Sequence, residues 1–397
     1  MSNENNEKRI KTADAGDPEQ ASRADGRAAA HAKKGGTAKK TILIVLLVVV
    51  LLFAALGITG YSIFRHYYNM MGRLDDIIPS EGFPTVSDLP QTTYDPTVPG
   101  LTEDEIKYIE NEIKQSAEEV NKEFNLSDVK KNTKSFNILM IGVDAREDSF
   151  IGRSDSMIII SINRETKTFT MTSILRDVYV DIEEFGFGSI NYAYYTGGTE
   201  RLCKAIESHL GITIDRCVVT NFFLVADIVD GVGGIDLDLS AEEIEVMNNY
   251  IKEYNRLTGK AEGTDYLPVE DLGVTHVNGS QALAYARVRY VGTDFARTGR
   301  QRTIIMKCLE KFKSMGLSEL NDFAGVFLPR IRTDLSASDC TSLLMLTFSL
   351  SEYKMQSVVI PADGTYTPVD IPGRGEVLKI DFLANAKRWY SAVENIR

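Results

Sequence analysis

Twenty-four consecutive residues, Thr41 to Phe64, carry no charged side chain and are dominated by Leu, Val, Ile and Ala. As a helix the run would measure about 36 Å at about 1.5 Å per residue, enough to cross a hydrocarbon core of about 30 Å. A core helix of that length usually keeps one polar face, and this run has none. It is too long, and begins too far along the chain, for a secretory signal, so it reads as an uncleaved anchor. Lys33, Lys34, Lys39 and Lys40 precede it without an intervening acid, whereas only Arg65 and Arg73 follow closely. The positive-inside rule then gives a single-pass protein of the cell membrane, with a cytoplasmic N-terminus and all later residues outside. Outside the cell there is no supply of ATP, so any group transfer there must draw on an activated substrate.

Around the anchor the chain divides by composition. Residues 1–40 read as a disordered cytoplasmic tail, and 65–134 as an extracellular linker and amphipathic helix. Residues 135–315 read as the catalytic body, and 316–397 as an extension packed on it. A net charge of −12 over 397 residues excludes nucleic acid as the default partner. Cys203, Cys217, Cys308 and Cys340 form no CxxC pair, and His31, His66, His209 and His276 form no HExxH, so a zinc site is not expected. Cys203 and Cys217 are open to pairing in an oxidising compartment, and equally to remaining separate buried thiols.

Apolar positions Ile106, Ile109, Ile113, Ala117 and Val120 recur at helical steps after a Thr102/Glu105 capping box. The role of that helix (stalk, docking element or partner surface) is open. Strands are predicted at 136–143, 157–163, 167–175, 214–221 and 354–360, the second and third as a hairpin. Helices are predicted at 199–210, 222–230, 241–257, 279–287 and 297–315. The alternation indicates an α/β fold, an α/β/α sandwich around a mixed central sheet.

The segment from Arg287 to Arg302 holds five arginines and no lysine within an acidic protein. A guanidinium is a planar fork that binds phosphate oxygens in pairs, which an ammonium cannot do. In extended chain Arg287 and Arg289 point the same way, and on a helix Arg297 shares a face with Arg300 and Gln301. Charge runs more often form solvated helix faces; choice of arginine and its spacing favour an anion site here. Asp144 ends one buried strand and Asp155 opens the next, where each alone would read as a turn or cap residue. Beside an arginine cluster they suit a hard cation such as Mg²⁺, or Mn²⁺ in its place, bound together with phosphate oxygens. Leu175-Arg176-Asp177 closes a third strand with adjacent opposite charges. The apolar segment 221–234, most simply core, could also wall an apolar groove.

The stretches NILMIGVDAR, GRSDSMIIISIN, TMTSILRDVYVDI, INYAYYTGG, VVTNFFLVADIVDGVGGIDLDL, VNGSQALAYARVRY and DFARTGRQR lie in order between about 136 and 305. With them the chain resembles the LytR-CpsA-Psr family of cell-wall proteins. The resemblance implies a phosphotransferase that moves a glycopolymer, such as wall teichoic acid or capsular polysaccharide, from undecaprenyl pyrophosphate to peptidoglycan. It implies Asp144 and Asp155 as Mg²⁺ ligands, Asp155 also as an aid to deprotonation, and Arg176, Arg287, Arg289, Arg297 and Gln301 as the pyrophosphate grip, which Arg300 is expected to join. The membrane, the polyprenyl-linked glycan and the peptidoglycan acceptor are the implied partners. Departures from the family pattern stand at Leu175 (usually Pro), Ser189 (commonly Lys), Ala296 (often Gly) and Arg302 (often Gln), and bear on substrate choice. Two other readings compete: a polyprenyl-pyrophosphate hydrolase using the same site with water, and a non-catalytic sensor or scaffold for the lipid carrier.

Overall fold

A computed structural model describes residues 60–79, 82–85, 101–124, 133–145, 150–269, 273–288, 294–312, 314–347 and 349–395. The chain separates into residues Met1–Phe64 and a body Arg65–Arg397. Among the described residues no helix is long and apolar enough to cross a membrane. Residues 41–59 of the charge-free run, and the tail before them, lie outside the described residues.

The strands of the body are β1 (Gly72–Arg73), β2 (Ser135–Val143), β3 (Ser154–Asn163), β4 (Thr168–Ile174), β5 (Tyr179–Ile182), β6 (Gly186–Ser189) and β7 (Arg216–Asn221). They continue with β8 (Ile235–Leu239), β9 (Gly273–Val277), β10 (Arg332–Thr333), β11 (Lys354–Ile360), β12 (Tyr366–Ile371) and β13 (Gly375–Ile380). Its helices are α1 (Glu103–Phe124), α2 (Asn191–Leu210), α3 (Phe222–Gly231), α4 (Ala241–Thr258), α5 (Gly279–Arg287), α6 (Asp294–Phe312), α7 (Leu317–Phe327), α8 (Ala337–Thr347) and α9 (Phe382–Val393).

A mixed sheet in the order β1-β10-β7-β2-β3-β4-β11 forms the centre. The β2-β3-β4 meander is antiparallel, while β7 runs parallel to β2 and β11 parallel to β4. Because β2, β3 and β4 are apolar on alternate as well as successive positions, both faces must be covered. On one face Leu139, Ile141, Met157 and Ile159 pack with Leu202, Phe382 and Trp389, from α2 and α9. On the other, Ile158, Ile162 and Met171 pack with Ile305, Leu343 and Leu346, from α6 and α8. A third cluster joins α3, α4, α5 and α6 to the β8-β9 pair through Val229, Ile235, Met247, Ile251, Ala282 and Ile304.

Helix α1 opens at the expected capping box, with the Thr102 amide donating to the Glu105 carboxylate at 2.8 Å. Its open role is resolved by packing. Ile113, Ala117 and Val120 are buried in the main core, and Asn121 Nδ2 donates to the Ser208 carbonyl at 3.2 Å, so α1 docks on its own body. The segment read as linker also contributes, since Gly72–Arg73 pairs with Arg332–Thr333 at the sheet edge. Helix α2 begins eight residues before the predicted start at 199, because Gly197 (φ −161°) and Gly198 (φ 63°) interrupt it and hide the first turns from a periodicity reading. The β5-β6, β8-β9 and β12-β13 pairs were not predicted. In the β8-β9 case α4 separates the partners in sequence, so no local turn signal exists.

Cys203 on α2 and Cys217 on β7 place their sulfurs 3.4 Å apart, both as free thiols. Hydrogen bonding to Cys203 and burial push the Cys217 thiol well above its ordinary range, so thiolate, the reacting form, is scarce. We expect oxidised glutathione to bridge the pair slowly, faster as pH rises, and to add about 3 kcal/mol of stability by closing a short loop. Mass spectrometry after alkylation, with a melting curve, checks this; two alkylated thiols after prolonged oxidation refute it.

Candidate functional site

Strand register sets the first half of the site. Met157 on β3 lies opposite Ile174 on β4. Two residues further toward the strand ends on the same side come Asp155 and Arg176. Arg176 Nη1 accordingly donates to both Asp155 carboxylate oxygens, at 3.0 and 3.1 Å, and Arg176 Nε to Asp177 at 3.3 Å. Burial disfavours charge on Arg176, but attraction to Asp155 and Asp177 outweighs it and holds the guanidinium above its ordinary pKa. Asp144 follows β2 directly, and its amide donates to the Arg153 carbonyl at 2.9 Å. Gly152 makes that turn possible, because a Cβ there would sit 2.5 Å from the Asp144 carbonyl oxygen.

The second half comes from α5 and α6. Arg287 is the last residue of α5, with Nη2 3.0 Å from Glu253 and its guanidinium 4.6 Å over the Tyr250 ring. Arg297 and Gln301 sit one turn apart on α6, and Arg297 is only 3% exposed. Ser156 Oγ donates to Gln301 Oε1 at 3.0 Å, tying α6 to β3.

These parts converge on one cavity of about 280 Å³, lined by Asp144, Asp155, Arg176, Arg287, Arg297 and Gln301 together with Arg153, Tyr250 and Ala286. Four guanidiniums face two carboxylates, so the cavity is cationic and fits an oxyanion of two or more charges. Six of the eight residues expected from sequence thus meet. Arg289 lies outside the described residues. Arg300 corrects the expectation that it joins the grip: its Nε pairs with Glu243 at 2.8 Å and its Nη1 donates to the Val288 carbonyl at 3.1 Å, on another side of α6. A helix turns about 100° per residue, so Arg300 cannot follow Gln301 into the cavity. Arg153 was missed although it stands two residues before Asp155 in a strand-like stretch, a legible signal. Tyr250 on α4 carried none.

Two departures acquire a structural setting. The Leu175 amide donates to the Ile360 carbonyl at 2.8 Å, a bond that proline lacks. Ser189 is buried in β6 and pairs with Tyr179, away from the cavity lining.

A second cavity, about 230 Å³ and apolar, shares Ala286 and Gln301 with the first. Val225 and Ile228 of α3, Leu283 of α5, Ile304 and Phe312 of α6 and Phe327 of α7 line it. Gly279 lets α5 approach α3, since a Cβ there would lie 2.1 Å from the Ala226 carbonyl oxygen. As a metal site, Asp144 and Asp155 offer an all-oxygen pair, and no cluster of three or more His, Cys, Asp or Glu exists among the described residues. That set fits Mg²⁺, which takes one or two carboxylates and fills its octahedron from phosphate and water.

Fold and site together define a mixed α/β protein with a cationic, arginine-lined cavity opening beside an apolar chamber. The family model for the LytR_cpsA_psr family matches residues 102–374, and the chain belongs to that family. It is 29% identical over 222 residues to the polyisoprenyl-teichoic acid–peptidoglycan teichoic acid transferase TagT of Bacillus subtilis, covering 54% of this chain and 65% of TagT. The chain therefore covers slightly less than two thirds of that relative's length. Among solved structures it resembles the protein gbs0355 from Streptococcus agalactiae at a TM-score of 0.53 and 27% identity, over 69% of this chain and 91% of that one. It also resembles TagT bound to LI-WTA, at a TM-score of 0.51 and 26% identity over 66% and 91%.

Proposed function

We propose that this chain is a membrane-anchored, outward-facing phosphotransferase that moves a glycopolymer from a polyprenyl pyrophosphate carrier to peptidoglycan. One observation carries the reading: a cationic cavity sized for a pyrophosphate opens directly beside an apolar chamber, the two sharing Ala286 and Gln301. A lipid pyrophosphate has that same division into charged head and apolar tail, and each half meets its solvent equivalent. The transferase named among the relatives supports it, and so does the outward topology read from Lys33, Lys34, Lys39 and Lys40.

In this mechanism an acceptor sugar hydroxyl attacks the sugar-side phosphorus in line. A new P–O bond forms, the bond to the bridging oxygen breaks, and polyprenyl phosphate departs with that oxygen. The hydroxyl proton passes to the departing phosphate, and Asp155 stays paired with Arg176. Arg176, Arg287 and Arg297 grip the phosphate oxygens and stabilise the charge that spreads over them at the transition state. Gln301, fixed by Ser156, orients them. Asp144 and Asp155 would hold Mg²⁺, which supplies further positive charge at the phosphate oxygens when bound.

Purified full-length protein with a polyprenyl-pyrophosphate glycan and peptidoglycan strands tests the reading by product. Sugar phosphate joined to glycan supports transfer; free sugar phosphate alone means hydrolysis, and unconsumed donor means a binder. Filling the apolar chamber separates its role. Val225→Trp, at a residue that lines the apolar chamber and not the charged cavity, is expected to raise KM for a long-chain donor about tenfold or more while a short-chain donor is spared, since each excluded CH₂ forfeits about 0.8 kcal/mol. Equal penalties on both chain lengths would remove the chamber from the substrate path.

A further inference from the structure

We propose that a second groove, on the side of α6 turned away from the pyrophosphate cavity, binds an anionic group of the glycan substrate, with Arg302 as its contact residue. The groove has a volume of about 590 Å³; Met171 and Ser357 line it from the sheet, Arg300, Arg302 and Lys307 from α6, and Glu243 from α4. Its identity as a site rests on Arg302. That guanidinium is partly buried and donates to two neutral hydroxyls, Ser173 Oγ at 2.7 Å and Thr298 Oγ1 at 3.4 Å.

Among the described residues no carboxylate forms an ion pair with it, whereas Arg176, Arg287 and Arg300 each have one at 3.0, 3.0 and 2.8 Å. Burial alone depresses the Arg302 pKa, with no opposing attraction. A half-buried cation held in place by hydroxyls, with further N–H groups to spare, is unfavourable unless an anion arrives from outside. Glu243 is engaged by Arg300 and so does not neutralise Arg302. Gly299 keeps the approach open, the nearest heavy atom to a Cβ there being Arg302 Nη2 at 3.9 Å.

The groove lies close to the chemistry. Gln301 of α6 lines the pyrophosphate cavity while its neighbours Arg300 and Arg302 line the groove, so the two flank the same helix. One helix diameter, about 10 Å, separates the two sides of α6, so a polymeric glycan with its reacting end in the cavity can reach round the helix to Arg302. This inference rests on the transferase reading for the glycan, and the anion is a carboxylate or phosphate. Two sources carry such groups: peptide carboxylates on the acceptor, or charged units of the donor polymer.

Equilibrium binding to the full-length protein distinguishes them without turnover. The probes are a peptidoglycan fragment with free peptide carboxylates, its amidated counterpart, and a glycerol-phosphate oligomer. One anionic probe is expected to bind at least about tenfold more tightly than the amidated fragment, and Arg302→Gln to weaken that probe alone by about tenfold. Arg302→Lys, which keeps the charge, should retain most of the binding. The carboxylated fragment responding marks the acceptor; the oligomer responding marks the donor. Equal binding of all three probes, or an Arg302→Gln protein indistinguishable from wild type, overturns the proposal. Normal probe binding in a protein that performs no transfer would instead overturn the function proposed above and leave this site standing.

Discussion

Arg297→Ala is expected to lower the turnover of a polyprenyl-pyrophosphate glycan by about two to three orders of magnitude, the typical loss when one preorganised donor to a developing oxyanion is removed. Arg297 is the arginine for which the effect should be purest. It is 3% exposed, it comes from α6 one turn before Gln301, and it lines the same cavity as Asp144, Asp155 and Arg176. Burial strengthens its field on a phosphate oxygen, because little water competes there. Arg297→Lys keeps the charge but replaces the planar fork with a point donor, so an intermediate rate is expected. Melting curves of all three proteins guard against loss of fold. Turnover within twofold of wild type in a well-folded Arg297→Ala protein would take this cavity out of the reaction.

The second large effect concerns the two carboxylates. Chelation by EDTA is expected to abolish transfer and Mg²⁺ to restore it. Asp144→Ala and Asp155→Ala should each raise the Mg²⁺ concentration for half-maximal rate and lower the maximum by about two orders of magnitude or more. The structure distinguishes the two variants. Asp155 also holds Arg176 through both oxygens, at 3.0 and 3.1 Å, so its loss releases an arginine as well as a ligand. Asp155→Asn keeps the shape and one acceptor oxygen, and should recover part of the Arg176 positioning without the metal response. Direct metal binding, read by calorimetry in the absence of lipid, provides a measure independent of rate. Full activity in excess EDTA would mean that arginines alone carry the charge.

Reading the sequence located strands of the central sheet closely: 136–143 against Ser135–Val143, and 354–360 against Lys354–Ile360. Apolar runs bounded by turn residues are local signals, and they survive folding unchanged. Helix α6 was legible from its pattern but began three residues earlier and ended three earlier than predicted, at Asp294 and Phe312. The first turns of α2 were not legible, because Gly197 and Gly198 break the helical period that a reader follows. Arg153 was within reach, since it precedes Asp155 by two residues; Tyr250 was not, because only the docking of α4 brings its ring under Arg287.

The amino-acid pattern alone supplied the ingredients of an anion site: arginines without lysines, aspartates at strand ends, and an apolar run before them. Those are properties of side chains, and they hold wherever the chain goes. Which arginines share a cavity was decided only by tertiary structure. Pairing of β3 with β4 set Asp155 against Arg176, and the seating of α6 sent Arg297 and Gln301 one way and Arg300 and Arg302 another. The physical reason is rotational. Spacing along a helix fixes the angles between its residues, but packing chooses which angle faces the cavity.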